Sequence, residues 1–432
     1  MMSPRYWFRW VVEQGTPRYV IRVRAGRGDP FAQLVGSAGG LRDPYPYIEE
    51  IRERGRLVHS PIAWATADYE LSRAILRDNR FGIFGARGFE MPSAARRRID
   101  AAALPPNPVE PPSMLVLDPP EHTRMRKSVS AAFTPRAIGR LRDRVESVTA
   151  ELLEALPADG SADLIENYAA QVPIAIIAEM LGFPRESSPQ FLEWGDAASP
   201  LLDFGISWRT WQRAAKAMFA MDGYLDNHLA QLRREPGEDI LSSLVTAGNL
   251  DDQELKATAS LLMGAGFETT VNLIGNGVVQ LLAHPEQLAR LRAEPELWPQ
   301  AVEEVLRFDA PVQITARIAL CDIEIGGASL RKGSVVVTSL AGANRDPKVF
   351  EEPDRFDITR PNAKEHLSFS SGIHTCLGAS LARMEATYAL RSLFDRFPEM
   401  SLAGAPERRP LYTLHGYSRM PANLGKRATA AV

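Results

Sequence analysis

From about residue 120 onward, apolar residues recur at helical spacing, and residues that favour helix starts precede them. A Thr-Pro pair opens the amphipathic run 134–153, and an Asp-Asp pair opens the longer run 251–284. Threonine and aspartate cap helix N-termini through their side-chain oxygens, and proline fits the first helical turn. The pattern predicts a helical body that contains one unusually long helix.

Alternating apolar positions, which are typical of β-strands, are fewer and lie toward both ends of the chain. They occur at residues 57–59, 64–66, 322–325 and 334–338, with turn signals at 326–327 and 332–333. The sequence therefore predicts a mainly α fold with a small β region. Because early and late strands must share that region, we expect the chain ends to meet in one domain, residues 41–432, preceded by an arm over residues 1–40.

Composition limits the class of protein. The chain has 432 residues, 45% of them hydrophobic, which is ample for a large core. Its two cysteines, Cys321 and Cys376, argue against a disulfide scaffold and fit a reducing cytoplasm. A formal net charge of -3 gives no indication of nucleic acid as a partner. No run of about 18 apolar residues occurs, so we expect a cytoplasmic protein with no transmembrane segment.

The first 27 residues are rich in arginine and aromatic side chains. Six arginines stand against a single acidic residue, and they are interleaved with Tyr6, Trp7, Phe8, Trp10 and Tyr19. This composition is open to two interpretations, a peripheral contact with a membrane or an arm whose aromatic side chains pack on the body. The apolar centre is short and broken by arginines, so a cleavable signal peptide is not indicated.

Cys376 occupies an unusual position for a cysteine. A lone cysteine is by default an inert apolar side chain, and Cys321 fits that description within a strand-like run. Cys376 instead follows a loop containing Gly372 and directly precedes a helix-like stretch, residues 377–386. Free backbone N–H groups and the positive end of the helix dipole favour a thiolate there. That chemistry suits an axial iron ligand, whereas structural zinc needs further ligands that no nearby CxxC or HxxxH supplies.

The long predicted helix carries an irregular segment, residues 264–270, in which two glycines and two threonines occur together. Each interior glycine costs about 1 kcal/mol relative to alanine, and threonine hydroxyls tend to bond the carbonyl four residues earlier. Tight packing is the ordinary cause of such a segment, while the acid–alcohol pair Glu268 and Thr269 indicates a functional cause. A dinucleotide-binding loop is not indicated, because Thr269 stands at the third glycine position and no strand precedes it.

The run from Phe369 to Gly378, Phe-Ser-Ser-Gly-Ile-His-Thr-Cys-Leu-Gly, closely resembles the haem-ligand loop of the cytochrome P450 family. The segment from Ala265 to Thr269 is similar to the family's helix segment that faces the haem. The resemblance extends from about Tyr45 to the C-terminus and is of the soluble bacterial, especially actinobacterial, type. It implies a single catalytic domain over residues 41–432. Haem b would lie between the long central helix and the helix that follows residues 369–378, which we call the Cys loop.

The resemblance also implies roles for individual residues. Haem would be held by His122, Arg126, Ala265, Arg317, Phe369, His374, Cys376 and Gly378, with Cys376 as the proximal iron ligand. Thiolate ligation donates electron density that favours O–O cleavage. On the opposite side of the haem, Thr269 would hydrogen-bond the oxygen and Glu268 would feed protons toward it. Ala265 and Gly266 would leave room for oxygen and substrate.

Two further sets of residues follow from the resemblance. A buried triad of Glu304, Arg307 and Arg355 is implied behind the haem, although a Glu and an Arg three apart on a helix ordinarily form a surface ion pair. The substrate pocket would be lined by Ala265, Gly266, Val312 and Ile314. The proline-rich segment 81–117 is by composition either a lid or a surface linker. The resemblance places it over the distal face of the haem.

The implied activity is that of a haem-thiolate monooxygenase, which inserts one oxygen atom of O2 into an apolar substrate by hydroxylation or epoxidation. Polyketide or macrolide-like, fatty-acid and steroid-like substrates all suit an apolar pocket. Electrons are expected from a ferredoxin and its NAD(P)H-dependent reductase, because the chain ends about 56 residues after Cys376 and contains no flavin domain. Lys127, Arg136 and Arg140 are candidates for the surface that docks the ferredoxin.

Two other functions compete with this interpretation. A peroxide-using or non-redox haem-thiolate enzyme is disfavoured by the pair Glu268 and Thr269, because the peroxide users lack it. A haem-based gas sensor or carrier is disfavoured because no part of the chain is left for a signalling domain.

Overall fold

The computed structural model describes residues 3–84, 93–157 and 160–428. Helices predominate among these residues and the strands form small sheets, which confirms the predicted mainly α fold with a small β region. The α-helices are α1 (Pro4–Trp10), α2 (Thr16–Ala25), α3 (Pro30–Leu34), α4 (Ala38–Arg42), α5 (Tyr45–Arg54), α6 (Tyr69–Arg77), α7 (Ser93–Asp100), α8 (Glu121–Ser130), α9 (Pro135–Gly139), α10 (Arg142–Ala155), α11 (Gln171–Met180), α12 (Ser188–Ala198), α13 (Trp208–Arg234), α14 (Ile240–Ala247), α15 (Asp252–Ala283), α16 (Pro285–Ala293), α17 (Trp298–Phe308), α18 (Leu340–Ala343) and α19 (Ala379–Arg396).

Helix α15 is the centre of the fold. It runs for 32 residues where the sequence predicts one long helix, and it begins with a capping box. The N–H of Glu254 donates to Asp251 Oδ1 at 2.9 Å, and the N–H of Asp251 donates to Glu254 Oε2 at 3.1 Å, so two otherwise unpaired donors are satisfied. Most residues of α15 are buried on all sides of the helix. Such a helix lies inside a bundle rather than on its surface.

The predicted helix over residues 134–153 is two helices in the structure, α9 and α10. Thr134 caps α9 through its side-chain oxygen, as the Thr-Pro start predicts. Helix α9 ends at Gly139, a residue that is about 1 kcal/mol less favourable than alanine inside a helix. The chain turns at residues 140–141 before α10 begins.

Early and late strands share the same sheets. The strands are β1 (Val58–His59), β2 (Trp64–Thr66), β3 (Phe81–Ile83), β4 (Ser161–Asp163), β5 (Ile314–Ala319), β6 (Ile323–Ile325), β7 (Ala328–Leu330), β8 (Val335–Ser339), β9 (Ser401–Leu402), β10 (Glu407–Arg408), β11 (Tyr417–Arg419) and β12 (Pro421–Asn423). The largest sheet has the order β1-β2-β8-β5-β3, and only β2 and β8 are parallel in it. Strand β12 pairs with both β4 and β9, which ties the C-terminal segment to the middle of the chain.

The arm lies against the body through α1 and α2. The indole N–H of Trp10 donates to the carbonyl of Ile206 at 3.0 Å. The buried Arg9 forms an ion pair with Glu110 at 2.5 Å. These contacts match the interpretation in which the arm packs on the body, although Trp7 remains 53% exposed. Among the described residues, none of the helices combines the length and the apolar character that a membrane crossing requires.

A buried ion-pair cluster connects α17 with the segment that leads to the Cys loop. Arg307 Nε lies 2.7 Å from Glu304 Oε2, and both side chains are completely buried. The third member is Arg360, whose Nε lies 3.4 Å from Glu304 Oε1. The assignment of Arg355 to this triad is therefore wrong. Its side chain is 60% exposed and pairs with Glu352 at the surface, and only its backbone carbonyl accepts a hydrogen bond from Arg307.

We expect the two arginines to differ sharply in their contribution to stability. Removing Arg360 by the substitution Arg360→Ala leaves part of the buried negative charge of Glu304 uncompensated, which lowers the free energy of unfolding by about 3 kcal/mol. Arg355→Ala removes an exposed pair and changes this free energy by no more than about 0.5 kcal/mol. Denaturant unfolding of the haem-loaded variants measures both. Equal losses of unfolding free energy in the two variants would contradict the exclusion of Arg355 from the triad.

Candidate active site

The loop before Cys376 is held in one conformation by its backbone. Ser370 and Gly372 have positive φ angles of 61° and 76°. A Cβ on Gly372 would lie 2.5 Å from the carbonyl oxygen of Leu76, so only glycine fits there. The N–H of Cys376 then donates to the carbonyl of Phe369 at 2.9 Å, which closes the loop. The sulfur is thereby presented directly before α19.

The thiol of Cys376 is subject to opposing electrostatic effects. Burial among protein atoms raises its pKa, while the N–H of Gly378 and the guanidinium groups of Arg126 and Arg383 favour the thiolate. The helix N-terminus thus acts in the direction predicted from the sequence, but burial outweighs it. As a residue, Cys376 is nevertheless exposed. Iron binding would displace the proton, as it does at cysteine ligands generally.

The buried middle of helix α15 is interrupted by a strip of exposed and partly exposed residues. Ala265 is exposed and Thr269 is partly exposed, one turn apart on the same side. The hydroxyl of Thr269 donates to the carbonyl of Ala265 at 3.1 Å, the back-bonding expected for threonine inside a helix. At Gly266 a Cβ would lie 2.8 Å from Ile177 of α11, so the close approach of α11 explains this glycine. Its backbone is partly exposed, and its place in the substrate pocket stays a prediction.

Four basic side chains converge beside the Cys loop. The rings of His122 and His374 lie 4.1 Å apart, and Arg126 donates to the carbonyl of Thr375 at 2.6 Å. Burial, together with the neighbouring cations, lowers the pKa of His374 to about 3, and burial lowers that of Arg317 to about 10. His122 Nδ1 and His374 Nε2 are buried without a hydrogen-bond partner. Such a cluster suits an anionic group with several oxygen acceptors.

The residues present fit haem. The two propionates of haem match the cationic cluster and its two unpartnered imidazole nitrogens. Gly378 has an ordinary φ of -86°, and a Cβ there would meet no protein atom within 4 Å, which leaves space for a flat ring beside Cys376. Phe369 is partly buried and packs against the core. Among the described residues no group of three or more His, Cys, Asp or Glu could hold a metal, so the zinc alternative finds no ligand set there.

Glu268 is a buried acid that Arg409 and Asp196 link to the protein surface. The residue is 4% exposed, and its carboxyl makes no well-aligned hydrogen bond. Arg409 Nη1 lies 3.3 Å from Glu268 Oε1. The same Arg409 nitrogen donates to Asp196 of α12 at 2.9 Å. Burial raises the pKa of Glu268, Arg409 opposes that rise and Asp196 adds to it. Sequence reasoning missed Arg409 and Asp196, because neither belongs to a motif or lies near α15 in the chain.

The two pocket residues predicted on the β5 side differ in their placement. Ile314 is 4% exposed and packs in a core cluster with Val337 and Ala341. Three positions separate it from Arg317, so the two side chains point to opposite faces of β5. Ile314 is therefore wrongly assigned to the pocket. Val312 is partly buried, and its role as a lining residue stays a prediction. Residues 85–92 of the predicted lid lie outside the described residues.

Comparisons with known proteins agree with this site. The family model for cytochrome P450 matches residues 93–411. The chain is 45% identical over 427 residues to a Mycobacterium tuberculosis protein named putative cytochrome P450 140, covering 96% of this chain and 97% of that one. It is 43% identical over 336 residues to vitamin D(3) 25-hydroxylase of Pseudonocardia autotrophica, covering 76% and 81%. The ligand-free crystal structure of Mycobacterium smegmatis CYP164A2 has a TM-score of 0.82 at 36% identity, covering 91% and 99%.

These matches extend over most of the chain and agree with the chemistry of the site. Haem b is the prosthetic group of the matching family, and the sulfur, the space beside Gly378 and the cationic cluster fit it. The chain therefore belongs to the cytochrome P450 family, whose members are haem monooxygenases that take O2, a substrate and electrons from redox partners.

Proposed function

We propose that Cys376 is the proximal ligand of haem iron and that Ala265, Thr269 and Glu268 form the distal side of the same site. The observation that carries the proposal is that an exposed cysteine directly before α19 and an exposed strip on the central helix α15 occur in the same fold. Bound haem supplies the reductive activation of O2. The chain's own residues hold its propionates through His122, Arg126, Arg317 and His374, and they hold or move protons at Thr269 and Glu268.

We propose that the substrate is a sizeable apolar molecule, with a steroid-like compound, a polyketide or macrolide and a fatty acid as the three classes. The small side chain of Ala265 leaves space on the distal side, and one relative is named for hydroxylation of vitamin D(3), which is steroid-like. An apolar ligand that displaces water from ferric haem shifts the iron from low to high spin. We therefore expect a spin-state titration to respond to members of one of these classes. A polar ligand that gives the only response would contradict the proposal.

Thr269→Ala is expected to separate oxygen consumption from product formation. Without the hydroxyl, oxygen loses a hydrogen-bonding partner, so reducing equivalents go to peroxide while substrate affinity stays unchanged. The measurement is the ratio of peroxide to product per NAD(P)H oxidised, with a spin-state titration for affinity. Thr269→Ser keeps the hydroxyl and is the matched control. Unchanged coupling in Thr269→Ala would remove this residue from proton delivery.

The pH dependence of coupling is expected to report Glu268. If Glu268 delivers a proton, coupling falls as the pH rises through its pKa, which burial raises. Arg409→Gln removes a cation that favours the carboxylate, so the fall moves to higher pH. Asp196→Asn removes an anion that favours the neutral acid, so the fall moves to lower pH. Glu268→Gln abolishes this titration. Coupling measured over a pH series tests the two opposite shifts and the loss, and shifts of the same sign in both neighbours would reject the assignment.

We propose that a ferredoxin docks where the Cys loop reaches the surface. Ile373 is 44% exposed in the turn Gly372–His374, which packs against α6. Arg73 and Arg77 of α6 are exposed beside this turn, as is Lys127 next to Arg126 on α8. Within the described residues, none of these three exposed cations forms an ion pair with a carboxylate. An apolar centre with free cations around it fits an acidic electron-transfer protein. Arg136 of α9 and Arg140, directly after α9, are also exposed and are further candidates for this surface.

Charge reversal at this surface is expected to weaken the ferredoxin complex. The double variant Arg77→Glu and Lys127→Glu should raise the Kd about tenfold at low ionic strength, and the difference should shrink as salt screens the charges. Electron-transfer rates and binding titrations at two salt concentrations measure this. Lys216→Glu, an exposed charge on α13, is the control. An equal effect of the control would show that net charge, rather than this surface, determines binding.

A further inference from the structure

A charged cluster lies behind the Cys loop, and of its members only Arg383 has a part in the ligand chemistry described above. Arg383 of α19 places its Cζ 4.5 Å from the ring centroid of Phe369. Glu303 of α17 accepts from this guanidinium at 2.6 Å and 3.2 Å. His366 completes the cluster, with Nε2 3.0 Å from Glu303 Oε2 and its ring 5.7 Å from that of Phe369. Three separate elements therefore meet at the residue whose carbonyl binds the Cys376 N–H.

The cluster holds one positive and one negative charge in fixed places. Burial opposes ionisation of Glu303, yet hydrogen bonds from His366 and Arg383 lower its pKa to about 2. Burial also lowers the pKa of His366, which keeps its imidazole neutral. Its tautomer is determined by the partners, because the N–H of Ser368 donates to Nδ1 at 3.2 Å and leaves Nε2 to donate to Glu303. The carboxylate thus holds the guanidinium over the ring.

We propose that Arg383, held by Glu303, is a fixed positive charge that raises the electron affinity of the haem–thiolate centre. The proposal rests on Cys376 being the iron ligand. The step concerned is one-electron reduction of ferric to ferrous haem, with the electron coming from the redox partner and no proton taken up by the cluster. A cation near the ligand stabilises the added negative charge, and an anion there opposes it. Arg383 and Glu303 therefore act with opposite signs on the reduction potential.

Midpoint potentials of the haem-loaded variants test this proposal, measured by spectroelectrochemical titration at pH 8, where an ordinary imidazole is neutral. Arg383→Gln is expected to move the potential in the negative direction, and Glu303→Gln in the positive direction. Arg383→Lys keeps the charge and is expected to stay nearer to the wild-type potential than Arg383→Gln. Arg391→Gln is the matched control, since Arg391 lies two turns further along α19 and pairs at the surface with Asp395.

The outcomes separate this proposal from the ligand assignment. The red-shifted band of the ferrous–CO complex reports thiolate ligation, so its absence in the wild-type protein would overturn the assignment of Cys376. If the band is present, two results would overturn the electrostatic role and leave the cluster only a packing role. One is shifts of the same sign in Arg383→Gln and Glu303→Gln, and the other is shifts no larger than that of Arg391→Gln. Should Arg383→Gln fail to retain haem, a positive shift in Glu303→Gln together with a smaller shift in Arg383→Lys supports the proposal, and no shift in Glu303→Gln overturns it.

Discussion

The buried pair of Glu304 and Arg307 is the interaction on which the site depends. Arg307 also donates to the backbone carbonyls of residues 344, 353 and 355, so its guanidinium is fully used inside the protein. Asn344, one of these carbonyl-bearing residues, donates from its amide to Ser368 Oγ at 2.7 Å, directly before the Cys loop. One desolvated ion pair therefore positions the backbone that presents the sulfur. Its contribution is to geometry more than to stability, because a buried pair on its own adds little net free energy.

A second constraint is the spacing of helices around α15. Gly266 lets α11 approach until Ile177 lies where a side chain of residue 266 would be. The neighbouring Ala265 has a small side chain and is exposed on another side of the helix. The irregular segment of this helix therefore has two causes on two faces. Packing explains the glycine, and the exposed strip holds the alanine and Thr269, the residues proposed for the distal side. The loss of helix propensity in the segment is offset by tertiary contacts along a helix that is buried on nearly all sides.

Much of the fold could be predicted from local signals, because caps, periodicity and the ten-residue Cys loop act over short distances. The capping box at Asp251 and the long run after it are examples. The predictions that were wrong depended on side-chain direction over longer distances. Arg355 and Arg360 lie in the same irregular segment, and no periodicity decides which one turns inward. The direction of Ile314 follows from the pairing of β5 with β8, which the sequence does not specify.

Asp196 makes the charge environment of the buried Glu268 depend on the solvent. This surface carboxylate is shared by Arg409, which contacts Glu268, and by Arg213 of α13, whose Nη2 lies 2.5 Å away. Mobile ions screen exposed charges and leave buried ones almost unaffected. Counter-ions that gather at Asp196 therefore change how strongly Arg409 is drawn outward and away from Glu268. Electrolyte in the bulk medium thus acts on the carboxyl group of a residue that is buried.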